Sequence, residues 1–184
     1  MKRRQKASVY PLVMTGMMAA VISVTAPFAL PVGPVPISLC SLLVCLAGYV
    51  LGWKLGTVSV LVYVLLGAVG MPVFGGFTGG VGQLFGPTGG YIIGYLPLAL
   101  LAGWPVDRFP GRRWLHLLGM VLGTGVLYAL GTVWYCVQTD VAVSAALGLC
   151  VLPFLPGDLL KLAAAAAAGP MLRRRLEQAD LRCI

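Results

Sequence analysis

The chain has 184 residues, of which 59% are hydrophobic and only 10% are charged, and its mean hydropathy is +0.95. Soluble globular domains carry about 25% charged residues. This composition therefore excludes a water-soluble fold and predicts an integral membrane protein. The formal net charge of +8 does not indicate nucleic-acid binding, because the Lys and Arg residues lie almost wholly at the chain ends and in short loops, where they orient a membrane protein.

Long apolar stretches predict an all-α membrane protein with a single domain, residues 1–184, built as a bundle of six transmembrane helices. The basic opening MKRRQK and the apolar run after it imitate a signal peptide. That run is longer than usual and lacks a small-residue cleavage motif, so it is interpreted as the first span. Four prolines, from Pro27 to Pro36, end it. The six predicted spans are residues 10–28, 37–52, 55–70, 87–104, 114–136 and 156–172.

The segment 140–152 is apolar but too short for a full span, and is predicted to lie on the membrane surface or to re-enter it. With six spans and a cytoplasmic N-terminus, all but one of the thirteen Lys and Arg residues fall on the inner side. The outer segments 29–36, 71–86 and 137–155 hold a single charge, Asp140. This positive-inside pattern predicts that both termini are cytoplasmic.

The stretch Gly75–Tyr91, GGFTGGVGQLFGPTGGY, is the most unusual part of the chain, since eight of its seventeen residues are glycine. Glycine allows a backbone to pass close to a ligand or to another backbone. The few polar side chains, among them Thr78, Gln83 and Tyr91, suit a pocket wall better than a solvated linker. The alternative is a flexible loop. The predicted topology puts this stretch on the outer side.

Asp158 and Lys161, in PGDLLK, are the acid and the lysine that remain in the apolar body. They are three residues apart on a predicted helix and therefore share a face. Charged groups in a membrane span are costly and often mark a substrate path, which favours a polar anchor in an outward-facing pocket. The alternative is a structural ion pair, with Asp158 stabilised at the helix N-terminus.

The other charged residues have ordinary interpretations. His116, near the cytoplasmic start of the fifth span, is expected to be an interfacial imidazole, and Asp107 and Asp140 are expected to be solvated loop charges. The Arg173–Arg175 run is interpreted as an orienting anchor that can touch anionic lipid.

Small residues form one stripe on the first predicted helix, with Gly16 and Ala20 at its centre. Such spacing allows another helix to approach closely in lipid. The approaching helix could belong to the same chain or to a separate membrane subunit.

Several kinds of site are absent from the sequence. It contains no GxxxxGK[ST] loop for ATP, no HExxH and no GxSxG. The five cysteines are odd in number and have no CxxC spacing, which argues against a disulfide framework or a metal site. We therefore expect no cofactor and no bound metal.

Three motifs together resemble a known family: PVGPVPIS at 31–38, GGFTGGVGQLFGPTGGY at 75–91 and LPGDLLK at 155–161. They are similar to those of the BioY family, the biotin-specific substrate-binding subunits of energy-coupling factor transporters, and the resemblance spans about residues 14–169. It implies a six-helix bundle in a prokaryotic cell membrane that captures biotin from outside. It also implies partners, namely a transmembrane coupling protein and two cytoplasmic ATPases.

The resemblance assigns Asp158 and Lys161 to the biotin site, with Gln83 and then Thr78 and Tyr91 as further candidates, and it assigns Gly16 and Ala20 to docking of the coupling protein. A ligand role for Cys40 is doubtful, since the family usually carries Thr and Gln in this segment. Three alternatives remain open. They are a subunit for another vitamin, an integral membrane enzyme that uses Asp158 as an acid or base, and a purely structural assembly subunit.

Overall fold

A computed structural model describes residues 9–30 and 37–178, so the predictions for the basic N-terminus, the loop 31–36 and Cys183 lie outside the described residues. The described chain is almost entirely helical, with one two-stranded antiparallel pair in which Ala29 pairs with Ser38. The elements are α1 Val9–Thr25, β1 Ala29–Leu30, β2 Ile37–Ser38, α2 Cys40–Ala68, α3 Val81–Phe85, α4 Gly89–Arg108, α5 Arg113–Thr139, α6 Val143–Cys150 and α7 Leu155–Gln178.

The helix α2 is broken at Gly52, which has φ 79° and ψ 174°. Such backbone angles are essentially confined to glycine. A Cβ placed on Gly56 would lie 2.8 Å from the carbonyl oxygen of Ala47. In a straight helix, residues nine apart are about 13.5 Å apart along the axis. The chain therefore turns back at Gly52, and the two halves of α2 pack against each other as a hairpin.

The centre of the bundle is the packing of α4 against α2 and α5. Glycines allow these close approaches: a Cβ on Gly48 would lie 2.6 Å from the carbonyl oxygen of Ala99, and one on Gly123 would lie 2.9 Å from the Leu98 side chain. Leu98 and Ala99 are fully buried. Close backbone contact between small residues is the usual way that helices associate in lipid.

Within residues 9–30 and 37–178, three helices are long and apolar enough to cross a membrane: α2, α4 and α5. A fourth candidate is the pair α6 and α7, which is bent by 55° at a short break. The helix α6 falls within the short apolar segment 140–152 and runs at an angle to α7, the geometry of a broken span or a re-entrant loop. The helix α1 is apolar but has only 17 residues.

The glycine-rich stretch folds over one end of the bundle. It contains an isolated bridge between Phe74 and Thr78 and the short helix α3. The helix α4 begins at Gly89, so Pro87 precedes it and does not occupy its first turn. A Cβ on Gly89 would lie 1.8 Å from the carbonyl oxygen of Leu84, which explains why the chain needs glycine at this junction.

One interpretation of a charged residue at the opposite end is wrong. Asp107 is not a solvated loop charge. It lies in the last turns of α4, accepts a hydrogen bond from the Trp53 backbone N–H at 3.0 Å, and pairs with Arg173 at 3.2 Å. His116 lies at the same end and is only 5% exposed, so its ring is buried within the bundle. Asp107 and His116 both hydrogen-bond to residues near the turn at Gly52, namely to the Trp53 N–H and to the Tyr49 hydroxyl.

Candidate functional site

A cavity of about 160 Å³ lies under the glycine-rich stretch; we call it the central cavity. It is bounded by the C-terminal end of α1, both halves of α2, the N-terminal end of α4, and α3 with the segment that precedes it. Its lining residues are Ala26, Ser38, Cys40, Tyr63, Phe74, Gly75, Thr78, Gln83, Thr88, Tyr91, Ile92 and Tyr95.

Aromatic side chains form the walls of the central cavity. Tyr91 and Tyr95 lie one helical turn apart on α4 and therefore face the same way. Tyr63 comes from the second half of α2 and packs edge-on against Phe74, with ring centroids 5.7 Å apart. The Cys40 thiol also lines the cavity and is fully buried. The walls thus combine flat apolar surface with phenol hydroxyl groups.

The glycine-rich stretch forms the cover of the cavity through Gly75, Thr78 and Gln83. The Thr78 hydroxyl donates to the Gly75 carbonyl oxygen at 3.0 Å. The Phe74 N–H donates to the Thr78 carbonyl at 2.9 Å. Gln83 is partly buried at the start of α3, and no hydrogen bond to another described residue engages its side-chain amide. Its amide is therefore the side-chain group in this cover with the most hydrogen-bonding capacity left for a ligand.

The acid and lysine of α7 lie beside this cavity. A smaller space of about 40 Å³ is lined by Asp158 and Lys161 and shares Ser38, Tyr91 and Tyr95 with the central cavity. Asp158 is buried, with 7% of the residue exposed. Its Oδ1 accepts from Lys161 Nζ at 2.7 Å, and its Oδ2 accepts from the Tyr128 hydroxyl.

Lys161 makes contacts in two directions. Its Nζ donates to Asp158 Oδ1 and also to the backbone carbonyl of Ser38, at 2.8 Å. The Ser41 hydroxyl lies 3.4 Å from both charged groups. A buried ion pair is tolerated when its remaining donors and acceptors are satisfied. Here Ser38, Ser41 and Tyr128 supply hydrogen-bond partners to the two charged groups. The pair also fixes α7 to the start of α2.

The five residues proposed from sequence thus surround two connected spaces. Thr78 and Gln83 line the central cavity, Asp158 and Lys161 line the smaller space, and Tyr91 lines both. Sequence analysis did not identify the other polar side chains here, which come from distant parts of the chain. They are Ser38, Ser41, Tyr63, Tyr95 and Tyr128.

One clue to these residues was available. Tyr91 and Tyr95 are spaced i, i+4 at the start of a helix that follows the glycine-rich stretch. This spacing predicts that both side chains face the same space. Tyr63 and Tyr128 have no such pattern around them. Aromatic residues in apolar helices usually serve packing, and only the folded chain brings these two to the site.

The arrangement can bind a small molecule with a compact polar head and an apolar body, because few polar groups converge in a largely aromatic space. Within residues 9–30 and 37–178, no group of three or more His, Cys, Asp or Glu side chains could hold a metal ion. The carboxylate of Asp158 accepts hydrogen bonds from Lys161 and Tyr128, and these two bonds hold it in a fixed orientation.

The stripe on α1 lies away from this site and faces outward. Gly16 and Ala20 are both exposed, and a Cβ on Gly16 would meet no atom within 4 Å. The neighbouring Thr15, Ala19 and Ile22 are instead buried against the bundle. In the described chain, therefore, no helix occupies the surface around Gly16.

Comparison with known proteins identifies the family. The BioY family model matches residues 1–178. The biotin transporter BioY of Thermotoga maritima is 40% identical over 164 residues, covering 89% of this chain and 95% of that protein. The probable biotin transporter BioY of Pyrococcus horikoshii is 41% identical over 152 residues, covering 83% of this chain and 89% of that protein. These relatives are named as transporters rather than enzymes.

A solved structure is similar across nearly the whole fold. It is the crystal structure, at 2.1 Å, of the S-component for biotin from an ECF-type ABC transporter. The two chains superpose with a TM-score of 0.85 at 29% identity, covering 94% of this chain and 95% of the other. Because the family model spans nearly all of the sequence and the relatives align over most of their length, the chain belongs to the BioY family.

Proposed function

We propose that this protein is the biotin-binding membrane subunit, or S-component, of an ECF-type ABC transporter, and that it captures biotin for import driven by partner subunits. The observation that carries the proposal is that the aromatic central cavity adjoins the buried Asp158–Lys161 pair, with Tyr91 lining both spaces. Membership of a family whose named relatives are biotin transporters supplies the identity of the ligand.

The chemistry of biotin suits this pair of spaces. Its ureido ring offers two N–H donors and one carbonyl acceptor, and its valerate chain ends in a carboxylate. Asp158 can accept a charge-assisted hydrogen bond from a ureido N–H, and Lys161 can donate to the ureido carbonyl or neutralise the valerate. The thiophane ring requires apolar or aromatic walls, which Tyr63, Tyr91 and Tyr95 would provide.

The glycine-rich cover supplies further contacts in this proposal. Gln83 can offer both an amide N–H and a carbonyl, and Thr78 can offer a hydroxyl, to whichever end of biotin lies toward the opening. Both line the central cavity without being fully buried.

The cavity opens on the outer face of the cell membrane in this proposal, and both termini are cytoplasmic. All described lysines and arginines except Lys161 lie at the other end of the bundle, as the positive-inside rule requires. The hairpin in α2 supports counting its halves as two spans. Together with α1, α4, α5 and α7, they make the six-helix bundle expected from the sequence.

A transmembrane coupling protein and two cytoplasmic ATPases complete the transporter in this proposal. The exposed stripe of Gly16 and Ala20 supports a docking role, because its open surface allows close approach by another helix. No cofactor is required of this chain, since it binds biotin as cargo.

The rival functions are less well supported. A membrane enzyme using Asp158 would need a second group able to move protons or attack a substrate. Lysine, tyrosine and serine side chains lie next to the carboxylate, but in this structure each is engaged in a hydrogen bond with it, and the named relatives are transporters. A purely structural subunit would have no use for a polar space beside an aromatic cavity. Capture of another vitamin by the same scaffold is the remaining alternative.

Isothermal calorimetry of the purified protein against biotin and other water-soluble vitamins tests the proposal. We expect tight, saturable binding of biotin and no binding of the other vitamins. Stronger binding of another vitamin would show that the site belongs to that ligand. Binding of none of the vitamins would overturn the proposal.

A further inference from the structure

A second cavity, of about 200 Å³, lies at the end of the bundle opposite the central cavity. We call it the arginine cavity. It lies between the loop that joins α4 to α5 and the C-terminal half of α7. Its walls include Tyr49, Arg113, His116, Pro170, Arg173 and Arg174. The proposed function gives no role to this space.

The positive charge of the arginine cavity is only partly balanced. Among the described side chains, Asp107 is the nearby acid, and its carboxylate is already engaged by Arg173 and by the Trp53 backbone N–H. Arg113 and Arg174 are exposed and form no hydrogen bond or ion pair with any described residue. Two guanidinium groups that have no acid partner among the described residues therefore line the same concave space.

The floor of the cavity is rigid and already hydrogen-bonded. His116 is buried, with Nδ1 3.0 Å from the Tyr49 hydroxyl and Nε2 3.0 Å from the Phe109 carbonyl oxygen. A carbonyl can only accept, so Nε2 carries a proton, and in the neutral ring Nδ1 accepts from the Tyr49 hydroxyl. This imidazole is occupied on both sides and helps to shape the space. The guanidinium groups on the rim are the donors that remain for a ligand.

The depth of the cavity also bears on its ligand. Two exposed tryptophans, Trp104 and Trp114, lie at the same end of the bundle, and Trp114 directly follows Arg113. Tryptophan is enriched where a membrane meets water, so this end lies at the level of the lipid headgroups. Basic pockets between helices on the cytoplasmic side are suited to anionic headgroups.

We infer that the arginine cavity binds a phosphate-type oxyanion through Arg113 and Arg174, and that the source is the phosphodiester of an anionic lipid headgroup. Arginine suits this ligand because its planar fork can donate two parallel hydrogen bonds to phosphate oxygens. Tethering of the anion in the bilayer favours lipid over free phosphate, since the headgroup is already concentrated at this depth.

The chain offers a matched control for a test. Arg112 and Arg175 are also exposed, and each lies next to a cavity arginine in sequence, but neither lines the cavity. The variants R113Q/R174Q and R112Q/R175Q therefore remove the same charge from the same two segments. Only the first pair removes it from the cavity.

The probes are short-chain phosphatidylglycerol, short-chain phosphatidylcholine and inorganic phosphate, each titrated into the purified full-length protein in a non-ionic detergent and followed by native mass spectrometry. We expect the unaltered protein to prefer phosphatidylglycerol over phosphatidylcholine by about tenfold or more. R113Q/R174Q should abolish that preference, whereas R112Q/R175Q should retain it. A cooperative thermal unfolding transition verifies that each variant is folded, and biotin binding at the other end is measured alongside it.

Each outcome decides the inference. Saturable binding of inorganic phosphate that only R113Q/R174Q abolishes, without lipid preference, would keep the oxyanion site and identify free phosphate as the source. Equal losses in both double variants would reveal diffuse attraction to a basic surface and overturn it. So would an unaltered protein that prefers neither phosphatidylglycerol nor phosphate. Failure of biotin to bind any form would count against the proposed function alone.

Discussion

The ammonium group of Lys161 donates to the backbone carbonyl of Ser38, which lies 123 residues earlier in the chain, at 2.8 Å. The same group pairs with Asp158. One lysine therefore joins α7 to β2 and to the first turn of α2, at the edge of the central cavity. Any ligand that draws Lys161 or Asp158 toward itself acts on the contact between these elements.

The Asp158–Lys161 pair allows the ligand role to be separated from the structural role. We predict that Asp158→Asn weakens biotin binding by about tenfold or more, because it removes a charged acceptor. It should also lower the melting temperature, since breaking a buried pair costs about 3–5 kcal/mol when one partner is left charged. Calorimetry and thermal unfolding in detergent measure the two effects, with the exposed Asp140→Asn as the control.

The single variant Lys161→Met and the double variant D158N/K161M complete a double-mutant cycle for the pair. Removing both charges should restore much of the stability, because no uncompensated charge stays buried. It should not restore biotin binding. If the double variant recovers affinity as well as stability, the pair is structural and the ligand role is wrong.

The outward-facing stripe of α1 makes a separate prediction about partners. Gly16→Leu together with Ala20→Leu should spare biotin binding and prevent co-purification with the coupling subunit, because bulky side chains block close helix approach. Gly125→Leu is a suitable control, since Gly125 is also exposed on a helix with no atom near its Cβ position. A complex that survives the double substitution would place the docking surface elsewhere.

The glycine-rich cover makes a prediction about order. Fixing a glycine backbone costs about 1–2 kcal/mol per residue, so we expect residues 75–90 to be mobile without biotin and ordered with it. Three hydrogen bonds tie the cover to the rest of the bundle: from Gly76 N–H to the Pro27 carbonyl at 3.0 Å, from Gly80 N–H to the Gly67 carbonyl at 2.7 Å, and from Trp134 Nε1 to the Gly86 carbonyl at 2.9 Å. Ordering should therefore concentrate at the cavity-lining positions between these contacts, Thr78 and Gln83.

Hydrogen exchange across residues 75–90, with and without biotin, measures this effect. Added protection at the cavity-lining positions, with little change at Gly80, would support a cover that closes on the ligand. Closure would bury the ring and slow its escape, raising affinity through the off-rate. Equal protection in both states would indicate a preformed wall, in which the glycines serve close packing alone.

The sequence predicted the helices well because long apolar runs, proline and glycine mark their ends directly. The turn near Gly52 was placed correctly, since GlyTrpLys interrupts an apolar run. The start of α4 was placed two residues early, at Pro87, because the preference for proline in a first turn is local. The contact of Gly89 with Leu84, which sets the junction, depends on how the cover folds.

Long-range partners were the part that sequence could not supply. Asp107 was interpreted from its basic neighbours as a solvated charge, whereas Arg173, 66 residues away, holds it. Tyr128 contacts Asp158 from a different helix, and nothing near it in sequence indicates a polar role. Local patterns report which face is apolar, but the pairing of polar groups within a bundle depends on helix packing.

The turn at Gly52 provides the last prediction. Gly52 has φ 79° and ψ 174°, and a Cβ there would lie 2.4 Å from Asp107 Oδ2, the atom that accepts the Trp53 N–H. Gly52→Ala should therefore strain the backbone by about 1–3 kcal/mol and also displace the carboxylate.

Gly70→Ala is the matched control. Gly70 also has a positive φ, 109°, but open space around its Cβ position, so only backbone strain applies. Thermal unfolding in detergent should give a larger fall in melting temperature for Gly52→Ala than for Gly70→Ala. Adding Asp107→Ala to Gly52→Ala should cost less than the sum of the two single effects, because the displaced carboxylate is already gone. Equal damage from the two glycine variants, or strict additivity in the double variant, would refute the role of Asp107 in holding this turn.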